Sequence, residues 1–129
     1  MENRKERQDE LKNRLALALE LRGVRAIDLS DKTGIPKGAI SYYLAGKSQP
    51  KADRLYKISV ALGVSEAWLL GFAVPMDRTE AQKKNDALAE VVVKLRSDAD
   101  FYEVVSMLAQ LPPAEYASIK QLLVALNNK

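Results

Sequence analysis

No cysteine and no histidine occur in the 129 residues. Disulfides, thiol nucleophiles, imidazole bases and the two commonest zinc ligands are excluded together, and most hydrolytic and metal chemistry goes with them. No Gly-rich phosphate loop and no paired buried carboxylates appear either, so neither an enzyme nor a cofactor is expected. Long apolar runs are missing too: nothing approaches the roughly 18 apolar residues of a membrane-spanning helix. The first ten residues, MENRKERQDE, hold no apolar signal core. A soluble, cytoplasmic protein without a membrane partner is expected. What is present is 47% apolar residues with only 6 Gly and 5 Pro, enough to bury a core. The length suits one domain, or one small domain with an appendage.

Charge is unevenly spread. Residues 1–72 hold 13 Lys+Arg against 9 Asp+Glu, whereas residues 73–129 hold 7 against 8. Within residues 36–57 the cations Lys37, Lys47, Lys51, Arg54 and Lys57 face a single anion, Asp53. Such a patch attracts a polyanion, because each phosphate contact releases condensed counterions. The plainer reading is a solvated helix face.

Helical periodicity dominates, and no alternating β-branched run suggests a sheet. Leu11, Leu15, Ala18 and Leu19 mark one face of a first helix that stops at Gly23. A second helix over 26–33 ends at Gly34, and a third over 37–45, with Ile40, Tyr43 and Leu44 inward, ends at Gly46. A fourth presents Leu55, Ile58 and Leu62 and stops at Gly63; Ser65 caps a short fifth that holds Trp68 as a core anchor. Residues 73–78, with Pro75, read as a linker. Three further helices follow. Thr79 with Gln82 forms a capping box, Ser97 with Asp100 resembles a second start signal, and Pro113 suits the first position of the last helix. The expected fold class is all-α: five helices in a first domain at 1–72, the linker at 73–78, and about three helices at 79–129.

The second and third helices have the spacing of a helix-turn-helix around Gly34: apolar Leu29 five residues before, small Ser30 where the helices approach, then Ile35, Ile40 and Tyr43 as core contacts. The ordered series Gly23, Gly34, Ile40-Ser41, Tyr43, Gly46-Lys47, Pro50 and Ala61-Leu62-Gly63-Val64-Ser65 resembles the Cro/lambda-repressor-like (Xre-type) helix-turn-helix domain over about residues 9–71. The resemblance implies a five-helix DNA-binding domain in a dimeric transcriptional regulator of phages, mobile elements or bacteria. The chain looks like the short phage-repressor form without a self-cleaving protease domain. Ser106 and Lys120 exist, but no pattern sets them in an oxyanion site.

With Ile40 inward, Lys37, Gly38, Ala39, Ser41 and Tyr42 occupy the groove-facing side of the third helix and are the candidate base-reading residues. Lys47, Lys51 and Arg54 are candidates for backbone phosphates, with Lys57 the most readily idle. Tyr42 also reads as an ordinary surface aromatic. The sequence departs from the family pattern at Ala26, where Gln is common, at Gly38, where a base-reading side chain is frequent, and at Lys51, where Ser or Thr often caps the fourth helix. Readout is thereby shifted toward Lys37, Tyr42 and DNA shape.

The apolar stripes of the last three helices, Leu88/Val91/Val92/Leu95, Phe101/Val104/Val105/Leu108 and Ile119/Leu122/Leu123/Leu126, exceed what three isolated helices can hide. Val91, Leu95, Val104, Leu108, Leu122 and Leu126, with Leu17 and Leu21 of the first helix, are the candidate oligomerisation residues. The leading expectation is a dimeric repressor on an inverted-repeat operator in double-stranded DNA, induced by an outside agent such as an antirepressor protein. The alternative is an antitoxin or adaptor whose C-terminal helices bind a protein such as a toxin while the helix-turn-helix autoregulates its operon.

Overall fold

The computed structural model describes residues 4–128. Among these residues there are eight helices and no strand: α1 (Arg4–Arg22), α2 (Ala26–Thr33), α3 (Lys37–Leu44), α4 (Ala52–Leu62), α5 (Glu66–Leu69), α6 (Glu80–Ser97), α7 (Ala99–Ala109) and α8 (Pro113–Asn127). The chain divides into two compact units between Asp86 and Ala87, inside α6.

In the first unit, α1 packs on α3, α4 and α5, α2 packs on α3 and α4, and α4 packs on α5. The shared core contains Leu11, Leu15, Leu29, Ile40, Ile58 and Leu69, all with no exposed surface. Each such side chain stabilises the fold by about 1.5–3 kcal/mol. Trp68 is buried at its edge.

The α2–α3 turn is held by short polar side chains as well as by its glycine. Gly34 has φ 74°, the left-handed conformation that a Cβ disfavours. Its N–H donates to the Ser30 carbonyl at 2.8 Å. The Ser30 hydroxyl donates to the Ile35 carbonyl at 2.6 Å, the Thr33 hydroxyl donates to the Leu29 carbonyl at 2.7 Å, and the Ile35 N–H donates to Thr33 Oγ1 at 3.2 Å. Ser30 therefore does more than permit close approach: it accounts for a carbonyl that the turn would otherwise strand.

Residues 73–78, expected as a linker, bond back to the first unit. The Ser65 N–H donates to the Met76 carbonyl at 2.8 Å, the Arg78 N–H donates to the Gly63 carbonyl at 3.1 Å, and Val64 pairs with Asp77 in an isolated antiparallel bridge. Arg22 joins in, donating through Nε to the Leu62 carbonyl at 2.8 Å and pairing with Asp77. Arg78 is buried. Its fork holds Asp86 at 2.8 and 2.9 Å, and Nη1 donates to the Val64 carbonyl at 3.0 Å and to Glu66. A buried guanidinium has to be met on every donor, and these bonds secure the first turns of α6 to the first unit.

In the second unit the helix starts follow local chemistry. The Thr79–Gln82 box at the start of α6 is reciprocal, with bonds of 2.8 and 3.1 Å. Asp98, not Ser97, caps α7: its carboxylate accepts from the Phe101 N–H at 3.0 Å. Ser97 remains in α6, and its hydroxyl donates to the Val93 carbonyl at 3.0 Å. Asp98 wins because it stands in extended backbone three residues before an unpaired N–H. Pro113 takes the first position of α8. No described residue of α6, α7 or α8 is buried.

Candidate nucleic-acid interface

Helix α3 is fixed to the core by Ile40 and Tyr43, both buried, and the opposite side of the helix is turned outward. Lys37, Gly38, Ser41 and Tyr42 are all exposed there. Ala39 stands at the margin, half-buried and packed against the core, so its methyl is shared between the interior and the surface. A Cβ built on Gly38 meets nothing within 4 Å. The absent side chain is thus not demanded by packing, and that stretch of α3 is open to close approach. No side chain caps α3, whose first N–H groups follow Pro36.

After α3 the chain turns at Gly46, φ 74°, where an added Cβ would lie 3.2 Å from Lys12 Cδ. This turn brings the Lys47 ammonium over the Tyr42 ring, 5.8 Å from its centroid. Tyr42 and Lys47 therefore form one cation–π pair on the same exposed edge.

Beside Tyr42 an open groove of about 540 Å³ runs between α3 and the start of α4, lined by Ala39, Tyr43, Ser48, Gln49, Lys51 and Arg54 among others. Arg54 is half-buried and donates through Nη1 to the Tyr43 hydroxyl at 3.1 Å. The phenol of a core residue thus sets the position of a groove cation. Lys51 is exposed and provides no side-chain cap to α4, in keeping with the departure noted at that position. Asp53, also on the groove, pairs with Lys57 at 3.4 Å; this pairing occupies Lys57 and leaves Lys51 and Arg54 as the cations of the groove wall. Ser48 and Gln49 were not singled out from the sequence. Their only signal was a polar loop before Pro50, which any surface turn carries.

At the start of α2, exposed Arg25 grips Asp28 through Nε and Nη2 at 3.0 and 3.1 Å. The hydrogen bond from the Arg25 side chain, with the Arg25 backbone N–H, holds the Asp28 carboxyl below its ordinary range, and the same bond raises Arg25.

Comparison with known families decides what this surface belongs to. The helix-turn-helix family model matches residues 15–69. Over these residues the chain is similar to helix-turn-helix domains. The match starts inside α1 and ends with α5, so it takes in the core apart from Leu11, the Gly34 turn, the exposed face of α3 and the groove cations, and it points to a DNA-binding transcriptional regulator. The family is one of regulators rather than catalysts. Comparison with curated proteins and with solved structures gave no match. Among the described residues no helix is long and apolar enough to cross a membrane, and no group of acidic side chains is placed to hold a metal.

Of the candidate oligomerisation residues, Leu17 and Leu21 of α1 are 43% and 59% exposed. Val91, Val104, Leu122 and Leu126 are exposed as well, and Leu95 and Leu108 are half-buried.

Proposed function

We propose that this chain is a sequence-specific transcriptional repressor that binds an inverted-repeat operator as a dimer, with α3 of each copy in a major groove. The observation that carries the reading is the outward face of α3, where Lys37, Ser41 and Tyr42 are exposed on a helix whose other side is locked into the helix-turn-helix core. Lys37 donates to a guanine edge or a phosphate, and Ser41 and Tyr42 donate or accept at base edges. Gly38 lets the backbone come close, and Ala39 offers a methyl to a thymine. Lys47, Lys51 and Arg54 hold the flanking phosphates and set the register without reading sequence.

One such domain makes too few contacts for useful specificity, and a two-fold dimer sets two α3 helices about 34–36 Å apart, one DNA turn. The exposed apolar residues of α6–α8, with Leu17 and Leu21, support a dimer. A phage or mobile-element setting, in the cytoplasm where the operator is, follows from the resemblance of the motif. The same exposed apolar residues favour a second reading, an antitoxin or adaptor that also regulates its own operon.

The test is selection from a random duplex library at about 150 mM salt, which suppresses nonspecific phosphate binding, with the bound species weighed by light scattering. The expected result is an enriched inverted repeat carrying two chains, with Lys37→Ala and Tyr42→Ala relaxing the selected sequence. Binding that enriches no sequence and fades as salt rises overturns the repressor reading and favours the adaptor.

A further inference from the structure

Every helix of the second unit lacks what a helix in water needs. Helices of 11 and 15 residues are marginal on their own, and their stability has to come from burying an apolar face. Yet no described residue of α7 or α8 is buried. Twelve large apolar side chains beyond Asp86 are left between 41% and 64% exposed. Helix α7 states the problem most sharply. Phe101, Val105 and Leu108 form one half-buried stripe, Val104 stands exposed beside it, and Tyr102 and Met107 stand exposed farther round the helix. A helix apolar on more than one side belongs in an interior.

We infer that the unit beyond Asp86 acquires its core only against a second copy of this chain, so that folding of this unit and dimerisation are a single step. Two observations select a second copy as the occupant. Twelve side chains exposed to that degree present together on the order of the 800 Å² per partner that a standard stable interface requires. In addition, residues 87–129 contain four Lys+Arg and five Asp+Glu. With both signs present and nearly balanced, no single-signed field repels an identical unit, and none draws in a polyanion or a strongly charged partner. The first unit differs in kind, since its own core is complete at Asp86. A dilute chain then carries a folded helix-turn-helix domain and an unfolded second unit, and two half-sites are read together only above the concentration at which the second unit forms. The inference deepens the dimeric part of the proposed function and does not depend on DNA binding.

The experiment uses the full chain without DNA, diluted stepwise, with mass from sedimentation, helicity from circular dichroism and Trp68 emission recorded together. Trp68 is the chain's one tryptophan and sits in the core of the first unit, so it reports that unit alone. About two-fifths of the helical residues lie beyond Asp86. The expected result is a two-chain mass at high concentration, then a halving of mass and a loss of up to about two-fifths of the helical signal over the same dilution, with Trp68 emission unchanged. The double variant Val104→Lys, Met107→Lys changes only exposed positions; it is expected to give a one-chain mass, reduced helicity and native Trp68 emission at every concentration. Helicity that stays constant while the mass halves overturns the inference, as does a one-chain mass at the highest concentration, which assigns these faces to another protein. A Trp68 change that tracks the helicity also overturns it. A failure to enrich an operator leaves all three readouts as they are.

Discussion

Ser59 is a polar residue in the wrong surroundings: it is buried in α4 with no exposed surface, and its hydroxyl has no hydrogen-bond partner. Leaving such a group unpaired forfeits its hydration without return. Ser59→Ala is expected to stabilise the fold by about 1 kcal/mol, read as a higher urea midpoint of Trp68 fluorescence; an unchanged or lower midpoint rejects this account. Tyr56 shows how a surface phenol is tied into the Arg78 cluster. Its hydroxyl donates to Asp86 at 3.2 Å. Partial desolvation, with the Asp86 charge and the hydrogen bond to it, raises its pKa above the ordinary 10, while Arg78 works the other way. A phenol whose folded pKa is raised contributes fully below the unfolded value and loses that contribution as pH climbs through the folded one. Stability is therefore expected to fall above about pH 10 more steeply in the natural chain than in Tyr56→Phe. Parallel losses in urea melts from pH 8 upward would refute the assignment.

At the scale of elements, caps and turns account for most of the agreement between sequence pattern and structure, because their chemistry acts within four residues. Gly34 past α2, Gly63 past α4, Ser65 before α5, the Thr79–Gln82 box and Pro113 all serve as their residue types imply. The start of α7 differs by one residue, since Ser97 and Asp98 are both capping types and only backbone geometry chooses between them. Asp98→Ala is expected to cost helix α7 about 1 kcal/mol, whereas Ser97→Ala stays within about 0.5 kcal/mol. Helicity melts of the two variants at one fixed concentration check this, and equal effects would show that the cap is shared. The outward face of α3 was legible for the same local reason: once Ile40 is inward, the 100° step assigns the other side. The groove was not legible. It depends on how the loop after Gly46 crosses to α4, and on the Tyr43 hydroxyl reaching Arg54 across eleven residues.

For the whole molecule, the Arg78 cluster decides where the first unit ends. Burial works against its charge, but Asp86 and Glu66 more than offset that and hold its pKa above the ordinary value. Removing one member of such a cluster leaves buried charge uncompensated. Arg78→Ala is expected to cost about 3 kcal/mol in the Trp68-monitored melt, with little recovered by Arg78→Lys, because an ammonium lacks the fork that spans Asp86. A loss below about 0.5 kcal/mol, the range of an ordinary surface change, would mean that residues 76–78 are held by their backbone bonds alone. Leu17 and Leu21 test the opposite case, apolar residues that the monomer does not use. The double change Leu17→Lys, Leu21→Lys is expected to leave the Trp68 melt within about 0.5 kcal/mol and to weaken association in sedimentation; an unchanged mass removes both residues from the interface.

By itself the sequence determined the helices, their order, most of their caps and the direction in which α3 faces, because each depends on residues three or four positions apart and on which side chains leave water. Only the tertiary structure decided what distant residues do to one another. Arg78 meets Asp86 and Val64, Arg22 meets Asp77, and Lys47 settles on Tyr42 through the packing of whole elements, and neither charge nor periodicity encodes those meetings at a readable spacing. The same reason separates the two units. Their apolar stripes look alike along the chain, yet those of α1–α5 close on one another into a core while those of α6–α8 do not, and burial is a property of the packed arrangement rather than of any one helix.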